Sequence, residues 1–168
     1  MGFSHLLDTK VTLPSFRAAY NIPEDVDIAY CHEDDIALQR CPHVVFFPLM
    51  AILEGGVRFP IDPFILSTLR FYGLYPNQLP PNFYRVVSCV SCLNQIYRLQ
   101  LNYHDINFMY SLCCIIRADY YLKVRDVQIQ LISCLPDSNR NSAEECILVS
   151  SNWLIGQLTC LTSSRDVS

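Results

Sequence analysis

Proline and glycine residues fix the ends of a helix in the middle of the chain. Asp62 stands before Pro63, an order typical of a helix start, because aspartate accepts backbone hydrogen bonds at the N-cap and proline suits the first helical position. Gly73 marks the end, since glycine readily adopts the left-handed conformation that closes many helices. The apolar residues between these limits recur at helical spacing: Phe64, Ile65, Leu69 and Tyr72. The sequence therefore predicts a helix that begins at Pro63 and stops at Gly73.

Two further helices are predicted downstream. After a proline-rich connector, Tyr75 to Pro80, Pro81 sets the backbone for a helix that reaches about Arg98. Its apolar stripe consists of Val86, Val90, Leu93 and Tyr97, and Cys89 and Ile96 widen it. This spacing is typical of a helix face that packs against a neighbour. Tyr103 to about Leu112 is the third helix, and its more uniform apolar character predicts deeper burial.

Shorter elements are predicted on both sides of these helices. A helix from Ser15 to Tyr20 precedes an acidic loop at 24–35, and Val44 to Leu53 suits either a helix or a strand that Gly55 and Gly56 end. Partial alternation of β-forming residues predicts strands at Tyr120–Arg125, Gln128–Leu135 and Cys146–Ser150. We therefore expect an α+β fold in which a helical N-terminal two-thirds packs with a small antiparallel C-terminal sheet.

The length of 168 residues suits one domain. We expect an N-terminal extension at 1–14, a single domain at 15–161 and a polar tail at 162–168. The longest apolar run, Val44 to Leu53, contains Pro48 and is shorter than the roughly 20 residues that a bilayer span requires. The N-terminal segment also lacks the features of a secretory signal. The expected location is therefore intracellular, in the cytoplasm or the nucleus, without membrane contact.

The nine cysteines do not form an even disulfide framework, and buried, reduced thiols are expected. Cys89 and Cys92 have the spacing of zinc or dithiol sites, but no second pair follows, and both lie within an apolar helix stripe. Core packing is therefore favoured over metal binding for this pair. A second group of soft ligands has spacings that do not match a zinc module: Cys31, His32, Cys41 and His43.

Catalytic signatures are missing from the sequence. Glu33, Asp34 and Asp35 are adjacent, whereas a two-metal site brings carboxylates together from separate elements. The glycines build no phosphate-binding loop, and no nucleophile elbow or zinc-protease motif occurs. We therefore expect a protein that is not an enzyme, with no catalytic residues, cofactor, metal or small-molecule substrate.

One long stretch resembles a known family. It runs Gly56-Val57-Arg58-Phe59-Pro60-Ile61-Asp62-Pro63-Phe64 and continues from Gly73 through Pro76-Asn77-Gln78-Leu79-Pro80-Pro81-Asn82-Phe83-Tyr84-Arg85. This pattern resembles the gypsy-type transposon domain of plants, and the likeness extends over roughly residues 15–155. The resemblance implies a gag-like or accessory module encoded by a retrotransposon. The residues that carry the signature are Arg58, Phe59, Pro60, Pro63, Phe64, Pro76, Gln78, Leu79, Pro81, Asn82 and Arg85.

The leading functional hypothesis is a structural or protein-interaction module that binds itself or another protein. Charged residues make up only 17% of the chain, and aromatic residues near the helix junctions supply either an interface or core: Phe59, Phe64, Phe71, Tyr72, Tyr75, Phe83 and Tyr84. The alternative is nucleic-acid binding through an arginine face, which is not favoured because the net charge is −4 and the basic residues are dispersed. That face would consist of Arg58, Arg70, Arg85 and Arg98. A remnant without function is a further alternative.

Overall fold

A computed structural model describes residues 12–31, 44–114, 120–129, 131–133, 135 and 145–150 of the chain. The helices are α1 (Thr12–Ala19), α2 (Leu49–Leu53), α3 (Pro63–Tyr72), α4 (Pro81–Tyr97) and α5 (Tyr103–Met109). The strands are β1 (Asp27–Tyr30), β2 (Val44–Pro48), β3 (Tyr110–Cys114), β4 (Tyr120–Val124) and β5 (Cys146–Ser150). Two short 3-10 turns cover Pro76–Gln78 and Val127–Ile129. The fold is mixed α+β, as the sequence predicted.

Strand β5 is the centre of a three-stranded antiparallel sheet with the order β1-β5-β2. Ile147 lies opposite Tyr30 on one side and opposite Phe47 on the other. Ile147 and Val149 are buried, while the residues that alternate with them are half-buried. One face of this sheet therefore packs on the core. Strands β3 and β4 form a separate antiparallel hairpin in which Leu112 lies opposite Leu122.

The predicted segregation of helices and strands is wrong. β1 and β2 lie in the N-terminal part of the chain, and β5 pairs with both of them rather than with β4. Part of the expected acidic loop is thus a strand, Asp27–Tyr30. The alternation of Ile28 with exposed neighbours suits a strand that covers the core with one face, and the acidic composition of the segment had masked this pattern.

The strand predicted at Gln128–Leu135 is also wrong at its start, where residues 127–129 form a 3-10 turn. Asp126 causes the turn: its side chain accepts a hydrogen bond from the Gln128 N–H at 2.9 Å, and its carbonyl accepts one from the Ile129 N–H at 3.0 Å. Aspartate is favoured at such positions because it bonds to the backbone two residues ahead.

The third helix is shorter than predicted and ends at Met109 instead of about Leu112. Tyr110 has extended backbone angles and lies opposite Val124, so the chain passes directly from helix to strand. The helix start is fixed by a capping box in which Asn102 accepts from the His104 N–H and Asp105 accepts from the Asn102 N–H, each at 2.8 Å.

The predictions for α3 and α4 are confirmed. Asp62 accepts a hydrogen bond from the Phe64 N–H at 2.7 Å, and Gly73 closes α3 with a φ of 64°. Helix α4 begins at Pro81 and ends where Arg98 adopts left-handed angles. The Val44–Leu53 segment contains both of the elements that its sequence allowed, β2 followed by α2.

The core lies between the three-stranded sheet and helices α2 to α4. Its members include Phe47 and Ile147 of the sheet, Leu69 of α3, and Val86 and Val90 of α4. Helix α5 adds Ile106 to the same cluster. Among the described residues, none of the helices has the length and apolar character needed to cross a membrane.

Candidate functional site

The carboxyl end of α2 is held by two arginines of the family signature. Arg58 donates from Nη1 to the carbonyl oxygens of Ile52 at 3.1 Å and Val57 at 2.7 Å. Arg85 donates from Nε to the Glu54 carbonyl oxygen at 2.8 Å and from Nη2 to the Glu54 carboxylate at 3.1 Å. The last carbonyls of a helix lack partners within the helix, and cationic side chains stabilise that end. Both arginines thus serve the local structure.

Neighbouring groups orient these two guanidinium groups. The Arg58 guanidinium lies over the Tyr20 ring at 5.1 Å from the centroid, a cation–π contact that joins the segment after α1 to the signature. Asn82 accepts a hydrogen bond from Arg85 Nη1 at 2.8 Å. Asn82 is in the first turn of α4, so the Arg85 contacts connect that turn to the end of α2.

The connector between α3 and α4 is fixed by a glutamine and a tyrosine. Gln78 Oε1 accepts a hydrogen bond from the Tyr75 N–H at 2.9 Å, which holds the 3-10 turn. The Tyr84 hydroxyl donates to the Pro76 carbonyl at 2.7 Å in a fully buried position. Burial raises the pKa of Tyr84 well above its ordinary value. Pro76, Leu79 and Pro81 are buried around this turn.

Asp62 connects the start of α3 to the middle of α4. One of its carboxylate oxygens caps α3, and the other accepts a hydrogen bond from the Ser91 hydroxyl, which is buried on α4. The Tyr72 ring lies near the Phe83 ring, with 6.4 Å between centroids. The end of α3 therefore packs near the start of α4, and the two helices run antiparallel.

The aromatic residues proposed for an interface divide between core and surface. Phe59, Phe83 and Tyr84 are buried, which agrees with the core alternative for these three. Phe59 packs edge-on against Phe47, with 5.9 Å between ring centroids, at a cis Phe59–Pro60 peptide. The half-buried members are Phe64, Tyr72 and Tyr75. Phe71 is 39% exposed and stacks on Tyr103 at 4.5 Å.

Within the proposed nucleic-acid face, the structure places Arg98 far from Arg85. Arg58 and Arg85 meet at the end of α2, and Arg70 is in the last turn of α3. Arg98 is at the C-cap of α4, about 20 Å along the helix from Arg85 at a rise of roughly 1.5 Å per residue. The structure thus brings Arg58 and Arg85 together and separates Arg98 from Arg85, and both Arg58 and Arg85 make intramolecular hydrogen bonds.

The C-terminal end of α4 extends beyond the core. Within this 17-residue helix the last buried residue is Ser91, and the apolar stripe continues from there through Leu93 to Ile96 and Tyr97. Ile96 is 71% exposed and Tyr97 is 66% exposed. Leu99, two residues after the helix, is also exposed. We call Ile96, Tyr97 and Leu99 the α4-end surface. The stripe was predicted from the sequence, but all of it was expected to pack against a neighbouring element.

A side-chain clamp fixes the chain that leaves this surface. The Asn94 amide donates to the Leu101 carbonyl at 2.7 Å, and its oxygen accepts from the Leu101 N–H at 3.0 Å. The two bonds fold the segment after α4 back along the helix. The α4-end surface therefore lies on the last turn of α4 and on the ordered segment that follows it.

The expectation of buried cysteines is wrong for those that the structure describes. Cys92 and Cys114 are exposed, while the half-buried thiols are Cys31, Cys89, Cys113 and Cys146. Cys92 directly follows Ser91, the last buried residue of α4. Burial, with a smaller contribution from Cys92, raises the pKa of Cys89. No group of three or more potential metal ligands occurs among the described residues. Other members of the proposed clusters lie outside the described residues: His32, Glu33, Asp34, Asp35, Cys41 and His43.

The comparison with family models gives a match to the family described as "Putative gypsy type transposon" over residues 45–113. This segment runs from β2 to β3 and contains α2 to α5, with all of the signature residues. The chain matches none of the curated proteins and none of the solved structures with which it was compared. The likeness seen outside 45–113 stays a prediction. Residues 45–113 of this chain therefore match the gypsy-type transposon family, as the signature motif predicted.

Proposed function

We propose that this chain is a non-catalytic, transposon-derived interaction module that associates with itself or another protein through the α4-end surface. The observation that carries the proposal is the apolar stripe of α4, which is packed at Val86 and Val90 but open to solvent at Ile96 and Tyr97. An amphipathic helix whose apolar face continues past its own core presents side chains that a partner can bury.

Exposure of single apolar residues is common and needs no explanation. Here two large exposed side chains occupy one helical turn, and a third follows within two residues. Tyrosine and isoleucine side chains each offer sizeable apolar area, and tyrosine is enriched in the energetic centres of interfaces. The grouping favours a contact surface over scattered exposure.

The signature residues support the proposal indirectly. Arg58, Arg85 and Tyr84 hold α2 and the start of α4 to the rest of the domain. A rigid base lets the projecting end keep a fixed direction, which lowers the entropy lost on binding. In this account the signature positions the surface and does not itself make the contact.

Sedimentation equilibrium over a range of protein concentrations tests the proposal. The test variant carries Ile96→Ser and Tyr97→Ser, and the matched control carries Val127→Ser and Ile129→Ser, which are also exposed apolar positions. We expect the wild type and the control to gain mass as concentration rises, while the test variant stays a monomer. Equal association of the wild type and the test variant would refute a role for the α4-end surface, and a monomeric wild type would refute self-association.

A further inference from the structure

Cys31 and Cys146 face each other at the end of the β1–β5 ladder. The register pairs Asp27 with Ser150 and Tyr30 with Ile147. One further step along both strands brings Cys31 opposite Cys146, and the Cys31 N–H donates to the Cys146 carbonyl at 3.0 Å. The two cysteines are thus neighbours in space although nearly the whole domain separates them in sequence.

This position suits a covalent bond between the two sulfurs. Directly opposed residues of an antiparallel pair project from the same face, with Cα atoms about 5.5 Å apart when the pair is hydrogen-bonded. Disulfides occur at Cα separations of about 4.4 to 6.8 Å. Both thiols are half-buried, which leaves them within reach of a small reagent.

Electrostatic contact between the thiols agrees with this geometry. The pKa of Cys146 is raised to about 11, first by burial and second by the charge of Cys31. Such an effect requires the two sulfur atoms to lie close together. The raised value also means that Cys146 is protonated near neutral pH, which makes it a poor first attacking group.

Other described cysteines lack an equivalent arrangement. Cys89 and Cys92 lie three residues apart on one helix. Cys113 and Cys114 are adjacent on β3, where neighbouring side chains point to opposite faces, and the cross-strand partners of these two are tyrosines.

We propose that Cys31 and Cys146 form a reversible disulfide that fastens β1 to the central strand of the sheet. The oxidant is a low-molecular-weight disulfide. The Cys31 thiolate attacks one of its sulfurs, forms a mixed disulfide and releases one small thiolate. Cys146 then loses its proton to solvent, attacks the Cys31 sulfur and expels the second small thiolate. Two protein thiols are oxidised, and the small disulfide is reduced to two thiols.

The bond would control the attachment of an edge strand. Among the strands that the structure describes, β1 pairs with β5 alone, so its described cross-strand contacts depend on that ladder. A bond from residue 31 to residue 146 also closes a loop that contains the whole of residues 45–113. In a reducing compartment the two cysteines stay reduced, and the bond forms when the thiol–disulfide balance becomes oxidising. This inference is independent of the proposed interaction surface.

Peptide mapping of the full chain tests the inference. The protein is equilibrated in mixtures of reduced and oxidised glutathione, its free thiols are alkylated, and it is cut with trypsin and chymotrypsin. Trypsin isolates Cys31 in residues 18–40, and chymotryptic cleavage after Trp153 separates Cys146 from Cys160. We expect a cross-linked peptide joining Cys31 to Cys146 in oxidising mixtures, and its loss when reduced glutathione is restored.

Serine variants give the controls. Cys31→Ser and Cys146→Ser should each abolish the cross-link, while Cys92→Ser, at an exposed helical thiol, should leave it unchanged. Closing so long a loop should raise the melting temperature of the oxidised wild type by on the order of 10 °C, and oxidation should not raise that of Cys31→Ser. Separate alkylation of Cys31 and Cys146 throughout the series, or pairing of either with another cysteine, would overturn the inference. The wild-type mapping decides this even where a variant fails to fold.

Discussion

Two tyrosine-to-phenylalanine substitutions make the same chemical change and should have different effects on stability. Tyr84 is fully buried, and its hydroxyl donates to the Pro76 carbonyl at 2.7 Å. Tyr84→Phe removes that bond inside the core. The Pro76 carbonyl keeps a longer hydrogen bond from the Leu79 N–H, at 3.3 Å. The loss is therefore close to the net value of one hydrogen bond, about 1 kcal/mol, rather than the larger cost of a wholly unpaired carbonyl.

Tyr72 provides the matched comparison. Its hydroxyl oxygen is buried, and no hydrogen-bond partner lies within reach among the described residues. Burying a hydroxyl without a partner costs about 1 kcal/mol or more, so Tyr72→Phe should leave stability unchanged or raise it by up to about 1 kcal/mol. The two variants should thus differ by about 1 to 2 kcal/mol in the free energy of unfolding.

Urea denaturation in reducing buffer measures this difference directly. The urea midpoint of Tyr84→Phe should lie below that of the wild type, and the midpoint of Tyr72→Phe should equal or exceed it. All three proteins should share the same denaturation slope. In thermal unfolding the same difference corresponds to roughly 2 to 8 °C for a chain of this size. A Tyr84→Phe variant as stable as Tyr72→Phe would refute the assignment of the Tyr84 hydroxyl to the connector before α4.

Three further perturbations follow from individual contacts. Gly55→Ala should lower the free energy of unfolding by about 1 to 3 kcal/mol, because the new Cβ would lie 2.5 Å from the Ala51 carbonyl oxygen and 2.9 Å from Tyr84 Cβ. In Gly73→Ala the new Cβ meets open space, so the φ of 64° alone should lower it, by about 1 kcal/mol. Arg85→Ala should lower the free energy of unfolding by about 1 kcal/mol, because its contacts with Glu54 are lost. Arg85→Lys should not restore these contacts, because lysine lacks the planar guanidinium fork. Urea denaturation midpoints measure the effects of the glycine and the arginine variants. The pKa of Cys146 is raised from 9.0 to about 11 in the folded protein. The protonated thiol therefore contributes stability that is fully present below pH 9 and is lost as the pH rises through 11. At about 1.4 kcal/mol for each pKa unit, the free energy of unfolding should fall by about 3 kcal/mol. Cys146→Ser should show a correspondingly shallower decline, and parallel curves would contradict this reading.

Sequence reasoning succeeded where the groups that fix an element are close neighbours in the chain. Asp62, Pro63 and Gly73 determine both ends of α3 through contacts within a few residues. The Asn102 and Asp105 capping box is a signal of the same kind, and the predicted start of α5 at Tyr103 is confirmed. Strand pairing is different, since the alternation of β5 suits any strand of similar length. Its pairing with β1 and β2 depends on contacts made across the whole domain.

The site was predicted in part for the same reason. The family signature was visible as a sequence pattern, but the contact of Arg85 with Glu54 spans 31 positions and has no local signal. Likewise, the stripe on α4 predicted an amphipathic helix without showing where the core ends along it. Ser91 is the last buried residue of α4, and this limit is a property of the tertiary packing.

We propose that the α4-end surface, and not a face of arginines, makes the intermolecular contacts of this domain. Light scattering after size-exclusion chromatography tests it most directly, with reduced protein at low and high salt, with and without a pool of single- and double-stranded nucleic acid. Apolar association withstands salt, whereas binding to phosphates weakens steeply as salt rises. The account predicts a concentration-dependent oligomer that nucleic acid does not change and that Ile96→Ser with Tyr97→Ser abolishes. A monomer that gains mass only with nucleic acid at low salt would contradict the account and favour the arginines.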